Sequence, residues 1–137
     1  MKVFLDTNVL ASALSTRGLC SDVLLLVIEE HELITGEVVL SELRIVLRRK
    51  FGVSPGTIAQ IEGFLRQYHV ESVPRKLPSL QLSDRNDLIV IASALDARAD
   101  MVVTGDAEML RIKNAGIRIL NPREFWTLAS RERNRVN

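Results

Sequence analysis

Short apolar segments alternate with helical patterns along nearly the whole chain, and this alternation restricts the fold more than any other feature. Strands are predicted at 2–5, 31–35, 70–73, 101–104 and 117–120, with helices between and after them. Strands that alternate with helices form a parallel sheet covered by helices on both faces. The sequence therefore predicts a three-layer α/β/α sandwich with a central parallel five-stranded sheet. It also predicts a single domain over 1–130 and a frayed polar tail over 131–137.

Length and composition agree with one soluble domain. The chain has 137 residues, of which 47% are hydrophobic and 26% are charged, so a disordered protein is excluded. We expect no membrane span, because no apolar run approaches roughly 20 residues. Asp6 interrupts the first apolar stretch too early for a signal peptide. Cys20 is the only cysteine, which excludes an internal disulfide and favours a cytoplasmic location.

The charges and histidines restrict the chemistry of a metal site. The net charge is +1, so the chain as a whole has no field that attracts nucleic acid. His31 and His69 are the only histidines, and neither has a partner at metal-ligand spacing. A metal site in this chain must therefore use oxygen ligands, which favour Mg²⁺ or Mn²⁺ over zinc.

Several acidic residues fall where the predicted strands end or where helices begin. Asp6 follows the first strand and Asp106 follows the fourth, while Asp84 and Asp87 open the helix that precedes the fourth strand. Glu42 lies at the margin of an apolar helical stripe. Ligands of parallel α/β sheets bind outside the carboxyl ends of the strands. We therefore expect several of these acids at one edge of the sheet.

Each acid alone has a simple structural explanation. Asp6, Asp84 and Asp106 all precede helices, and an N-cap contributes about 1 kcal/mol. Asp87 could interact with a helix dipole, and Glu42 could pair with an arginine. Two carboxylates 4 Å apart, however, repel by about 4 kcal/mol at an effective dielectric constant of 20. A cluster of them is unfavourable without a cation, so a metal site explains the set better than separate roles.

Four segments, in order, resemble the motifs of PIN-domain nucleases, including the VapC-like toxins. They are VFLDTNVL at 3–10, Ser41-Glu42-Leu43 followed by Val46-Leu47, DLIVIASA at 87–94, and VVTGD at 102–106. The resemblance extends over residues 2 to about 122. It implies the sheet order 3-2-1-4-5 and Mg²⁺- or Mn²⁺-dependent cleavage of RNA. It also implies the toxin of a bacterial toxin–antitoxin pair, with a cognate antitoxin protein as partner and a homodimer as assembly.

The resemblance also implies roles for individual residues. The acids that bind metal and catalyse are Asp6, Glu42, Asp87 and Asp106. Asn8 and Thr104 are implied to orient these acids through hydrogen bonds. Asp84 is either an extra metal ligand or the cap of the Asp87 helix, with the cap favoured, and Glu108 is interpreted as a solvated acid.

The residue types suit metal-assisted hydrolysis of a phosphodiester. Oxygen-bound metal supplies a hydroxide near neutral pH and stabilises the charge that develops on the phosphate. No histidine lies near any motif, so a histidine acid–base pair is not expected. Arg49, two helical turns after Glu42, is a candidate for RNA binding with Arg48 and Arg85, although a solvated basic helix face explains them equally well.

Two other functions stay open at this point. A haloacid-dehalogenase-like phosphatase would use Asp6 as its nucleophile and Gly105-Asp106 as its metal motif. That family usually has a second aspartate two residues after the first, where this chain has Asn8. A PIN-like module that binds metal or RNA without cleavage is the other alternative.

Overall fold

The computed structural model of the chain describes residues 1–82 and 84–136, and it contains the five predicted strands in one parallel sheet. The strands are β1 (Lys2–Leu5), β2 (Glu32–Gly36), β3 (His69–Glu71), β4 (Met101–Val103) and β5 (Arg118–Leu120). Their order is β3-β2-β1-β4-β5, and every neighbouring pair is parallel. The predicted fold class and strand order are thus confirmed.

Helices follow every strand and cover the sheet. They are α1 (Thr7–Ser15), α2 (Leu19–Glu30), α3 (Glu37–Arg49), α4 (Pro55–Leu65), α5 (Arg85–Asp96), α6 (Ala107–Leu110) and α7 (Pro122–Val136). The central strand β1 supplies Val3, Phe4 and Leu5, all fully buried. In register, Phe4 lies between Ile34 of β2 and Val102 of β4. This apolar centre fixes the carboxyl ends of β1 and β4 side by side.

The sequence pattern predicts a helix over 23–30 capped by Ser21-Asp22 and a short helix over 107–113, and in the structure both boundaries differ for local reasons. The helix expected to be capped by Ser21 begins earlier, at Leu19, and the Ser21 hydroxyl instead accepts the Gly18 N–H at 3.0 Å. Helix α6 ends at Leu110 rather than at 113. The chain beyond it turns through left-handed backbone at Asn114 (φ +62°) and Gly116 (φ +79°).

The polar segment predicted to fray is helical where the structure describes it. Helix α7 continues to Val136. Arg133 forms an ion pair with Glu30 of α2 at 3.3 Å, which ties this segment to the body of the fold. The structure thus describes 131–136 as part of α7, Asn137 lies outside the described residues, and fraying of this segment stays a prediction.

No single helix among the described residues is long and apolar enough to cross a membrane. Helices α1 and α2 together reach the length and composition of a span, but they are bent by 102° relative to each other. Their buried residues, such as Leu10 and Val27, belong to the hydrophobic core.

Candidate active site

A small pocket at the carboxyl edge of the sheet brings the predicted acids together. Its volume is about 220 Å³. Five carboxylates line it, those of Asp6, Glu42, Asp84, Asp87 and Asp106. These acids come from the end of β1, from α3, from the start of α5 and from the loop after β4. The topology thus assembles residues that are up to 100 positions apart in sequence, between Asp6 and Asp106.

Asp6 is the most firmly held of the five. Its Oδ1 accepts the Thr7 N–H at 2.8 Å, so it caps α1. Its Oδ2 accepts the Thr104 hydroxyl at 2.7 Å and the Asn8 amide at 3.4 Å. Burial raises the pKa of Asp6, and repulsion from Asp106 adds to the rise, while the hydrogen bonds from Thr104 and Thr7 oppose it. The predicted hydrogen bonds from Asn8 and Thr104 to an acid are therefore present.

The loop after β4 is tied to Asp6 through the same two polar side chains. Thr104 Oγ1 accepts the Asp106 N–H at 3.0 Å, and Asn8 Oδ1 accepts the Gly105 N–H at 2.9 Å. A Cβ at residue 105 would lie 3.3 Å from Asn8 Oδ1, so the close approach favours glycine. Asp106 Oδ1 in turn accepts the N–H groups of Glu108 and Met109 and caps α6. The positions of Asp6 and Asp106 are thereby coupled.

Glu42 reaches the pocket from α3, which packs against α1. Its Oε2 accepts the Thr7 hydroxyl at 3.3 Å. Burial raises the pKa of Glu42, and the negative charge of Asp6 raises it further. Glu42 is therefore a member of the acidic pocket rather than a solvated helix residue.

Asp87 is an acid whose pKa is raised strongly. It lies in the first turn of α5 with 9% of its surface exposed. Burial raises its pKa to about 7, with further contributions from the charges of Asp106, Asp84 and Asp6. No hydrogen bond from another described residue reaches its carboxylate to oppose this rise. Near neutral pH, this group alternates between its protonated and ionised forms.

Asp84 and Glu108, which the sequence analysis did not include in the metal-binding set, have different surroundings. Asp84 caps α5 by accepting the Asn86 N–H at 2.8 Å, as predicted, and it also lines the acidic pocket. Glu108 is half-buried and lines a neighbouring cavity of about 540 Å³ with Arg111 and Lys113. It contributes to the acidic pocket through its charge, which raises the pKa of Asp87.

The arginines predicted to bind RNA do not line this pocket. Arg48 and Arg49 line a separate groove of about 660 Å³ between α3 and α4, and Arg85 is exposed at the start of α5. The side of α3 that faces the acids instead carries Glu42, Val46 and Lys50, at i, i+4 and i+8. Rows of this spacing form one ridge of a helix. Lys50 thus lines the pocket, whereas the sequence analysis favoured Arg49, and its place four residues after Val46 and eight after Glu42 is the signal that could have found it.

The donor set fits a hard divalent cation in its chemistry. All five carboxylates supply oxygen, the ligand that Mg²⁺ and Mn²⁺ prefer, and burial raises the pKa of Asp6, Glu42 and Asp87. In the positions they occupy, no three acidic, histidine or cysteine side chains of the described residues form a group that could hold a metal ion. Side-chain rotation within the pocket would be required to bring three carboxylates to one ion.

Comparison with known proteins agrees with this fold. No curated protein sequence matches the chain. A solved structure titled as VapBC2 from Rickettsia felis bound to a DNA fragment from their promoter has a chain of the same fold, with a TM-score of 0.67 and 19% identity. The match covers 88% of this chain and 98% of that one. The sequence model of the PIN domain matches residues 2–108, well over half of the chain, so this protein belongs to the PIN-domain family.

Proposed function

We propose that the chain is a metal-dependent endoribonuclease that hydrolyses RNA phosphodiester bonds with a metal-activated water. One observation carries this proposal: a pocket at the carboxyl edge of the sheet gathers Asp6, Glu42, Asp87 and Asp106, which lie apart in sequence. Mutual repulsion makes such a set unfavourable for the fold alone. Membership of the PIN-domain family supports the same activity.

The four acids are the residues that would hold Mg²⁺ or Mn²⁺. When bound, such a cation lowers the pKa of water and neutralises charge on the phosphate. Thr104 and Asn8 fix the direction of the Asp6 carboxylate, and Thr7 fixes that of Glu42. Asp87, whose pKa is about 7 without a cation, would lose its proton when one binds.

Both histidines lie away from the acids, which disfavours cleavage by a histidine pair. His31 immediately precedes β2, where its Nδ1 lies 3.3 Å from the amino group of Met1. His69 is the first residue of β3 and contacts Glu71. The strands are parallel, so both histidines lie at the amino edge of the sheet, opposite the pocket.

The alternatives carried by the sequence receive less support. A haloacid-dehalogenase-like phosphatase needs a second acid at position 8, but Asn8 uses its amide to hold Asp6 and Gly105. Such an enzyme should hydrolyse p-nitrophenyl phosphate, and we expect this chain not to do so. A non-cleaving module would bind Mn²⁺ and RNA yet leave the RNA intact.

Cleavage of a mixed single-stranded RNA pool tests the nuclease directly. We expect products with Mn²⁺ or Mg²⁺, none with EDTA, and none from Asp87→Asn with either metal. Asp96→Asn is the matched control, because it makes the same change of charge at the exposed far end of α5. Nine helical residues place it about 13 Å along the axis from Asp87. Cleavage that survives both EDTA and Asp87→Asn would contradict the proposal.

We propose further that the protein is the toxin of a toxin–antitoxin pair that acts in the cytoplasm as a homodimer. The structural relative, titled as a VapBC2 complex with promoter DNA, supports a protein partner. Leu25 and Ile45 are apolar yet more than half exposed, which supports a further contact surface. Expression without a partner should arrest growth, and Asp6→Asn should relieve the arrest. Arrest that persists in this variant would exclude catalysis as its cause, and light scattering would show whether the chain dimerises.

A further inference from the structure

Lys50 is the cation that lines the acidic pocket among the described residues. It shares the pocket with five carboxylates, whereas Arg48 and Arg49 face the groove beside α4. An RNA phosphate that approaches this pocket meets repulsion from every acid that is not neutralised. A positive charge at the pocket wall would lower that repulsion at the point where the phosphate enters.

The local structure positions Lys50 at the pocket, and its ammonium forms no ion pair with the described residues. Lys50 is the C-cap of α3, and its N–H donates to the Val46 carbonyl at 2.9 Å. Its Nζ lies 5.8 Å from the centroid of the Phe51 ring, within range of a cation–π interaction. Phe51 lines the same pocket. None of the ion pairs among residues 1–82 and 84–136 includes Lys50, so its ammonium is available to an anion.

The other cations of this region form ion pairs or line the groove between α3 and α4. Arg44 and Arg66 both pair with Glu62 on the outer side of α3 and α4. A lysine is also suited to the task, because its ammonium is a compact charge with rotatable donors, whereas a bidentate arginine fixes the geometry of one anion.

We propose that Lys50 binds the phosphate of the RNA strand at the mouth of the acidic pocket, and that the Phe51 ring positions its ammonium. This inference rests on the proposed ribonuclease function and adds a substrate-binding residue to it. Lys50 acts on binding of the polyanion, so its removal should weaken RNA association more than it slows the chemical step.

The test compares Lys50→Gln with the wild-type chain in two assays. The first is steady-state cleavage of a labelled single-stranded RNA with Mn²⁺. The second is fluorescence anisotropy of the same RNA in EDTA, over a series of salt concentrations. We expect KM to rise roughly five- to tenfold with kcat changed less than about twofold, as for loss of a charge-assisted contact. The slope of log K against log salt should fall by about 0.7, the loss of one phosphate contact on a single strand.

Three further variants separate Lys50 from general charge effects. Lys50→Arg keeps the charge and should restore most of the binding. Lys76→Gln removes a lysine at a cavity beside Asp96, at the other end of α5, and should leave KM and the slope unchanged. Arg49→Gln removes the neighbouring charge that the sequence analysis favoured. Melting temperatures of all variants show whether each remains folded.

The outcomes distinguish this inference from the function on which it rests. If the wild-type chain cleaves RNA and folded Lys50→Gln keeps its KM and salt slope, the role of Lys50 is refuted and the nuclease stands. A larger loss in Arg49→Gln than in Lys50→Gln would also refute it and assign the contact to the α3–α4 groove. A wild-type chain that neither binds nor cleaves RNA would refute both.

Discussion

Replacing Asp87 by asparagine is expected to stabilise the metal-free fold at pH 8 while it abolishes RNA cleavage. In the folded chain, burial and the neighbouring acids raise the pKa of Asp87 from 3.8 to about 7. A difference of one in pKa corresponds to 1.36 kcal/mol. The ionised carboxylate therefore destabilises the fold by up to about 4 kcal/mol, and asparagine has nearly the same shape without the charge. Counter-ions and relaxation of the pocket reduce this limit, so we expect a gain of about 1–3 kcal/mol.

The pH dependence of the free energy of unfolding is a second measure of the destabilisation by the ionised Asp87 carboxylate. Because the pKa of Asp87 is higher in the folded chain than in the unfolded one, the folded chain binds the extra proton between pH 4 and 7. The stabilisation from this proton is complete below the unfolded pKa and is lost as the pH rises through about 7. The free energy of unfolding in EDTA should thus fall from pH 5 to pH 8 in the wild-type chain. It should fall less in Asp87→Asn, where Asp6 and Glu42 still contribute with the same sign.

Urea unfolding in EDTA at pH 5 and pH 8 measures these differences, with Asp96→Asn as the control for an exposed charge on the same helix. At about 100 times its dissociation constant, Mn²⁺ should add about 2.7 kcal/mol to the wild-type chain at pH 8 and clearly less to Asp87→Asn. Two results together would refute the reasoning. Asp87→Asn would be no more stable than the wild-type chain at pH 8, and the free energy of unfolding of the wild-type chain would not change between pH 5 and pH 8.

Two further variants test the hydrogen bonds that hold the pocket acids and the ion pairs between α3 and α4. In Thr104→Val, Asp6 loses a hydrogen bond that lowers its pKa and the Asp106 N–H loses its acceptor. We expect a loss of about 1–3 kcal/mol in urea unfolding and a shift of the cleavage profile to higher pH; an unchanged profile would contradict this role. Glu62, whose pKa is lowered to about 2 by hydrogen bonds from Arg44 and then Arg66, stabilises the fold above its unfolded pKa of 4.5. Glu62→Gln should cost about 1 kcal/mol or less at pH 7, since the pairs are partly exposed, and the difference should vanish as the pH falls towards 2.

The sequence predicts the acids of the pocket because their positions depend on local rules. A buried strand followed by an aspartate that caps the next helix places that aspartate at the carboxyl edge, and both Asp6 and Asp106 obey this rule. The strand order came from the family resemblance, since alternation alone does not say which strands are neighbours.

The sequence alone could not select among the cations of α3, because the direction of their side chains depends on packing between elements. Counting two turns from Glu42 favours Arg49, which lies on nearly the same line of an isolated helix. In the fold, α3 packs between α1 and α4 and turns the row through Val46 and Lys50 towards the acids. The rotation of a helix about its own axis is set by its apolar contacts with its neighbours, and no motif encodes it. The ion pair between Arg133 of α7 and Glu30 of α2 likewise joins residues far apart in sequence, which no local pattern predicts.

Capping and metal binding, which compete as explanations of single residues in the sequence, coincide in the structure. Asp6, Asp84 and Asp106 each cap a helix, and each also lines the pocket. A helix N-terminus offers N–H donors and the positive end of the helix dipole, which stabilise a carboxylate anion. Caps at three neighbouring helices therefore offset part of the repulsion among the acids before any cation binds. Asp87 lies one turn inside its helix and does not serve as a cap, so no capping hydrogen bond opposes the burial and repulsion that raise its pKa to about 7.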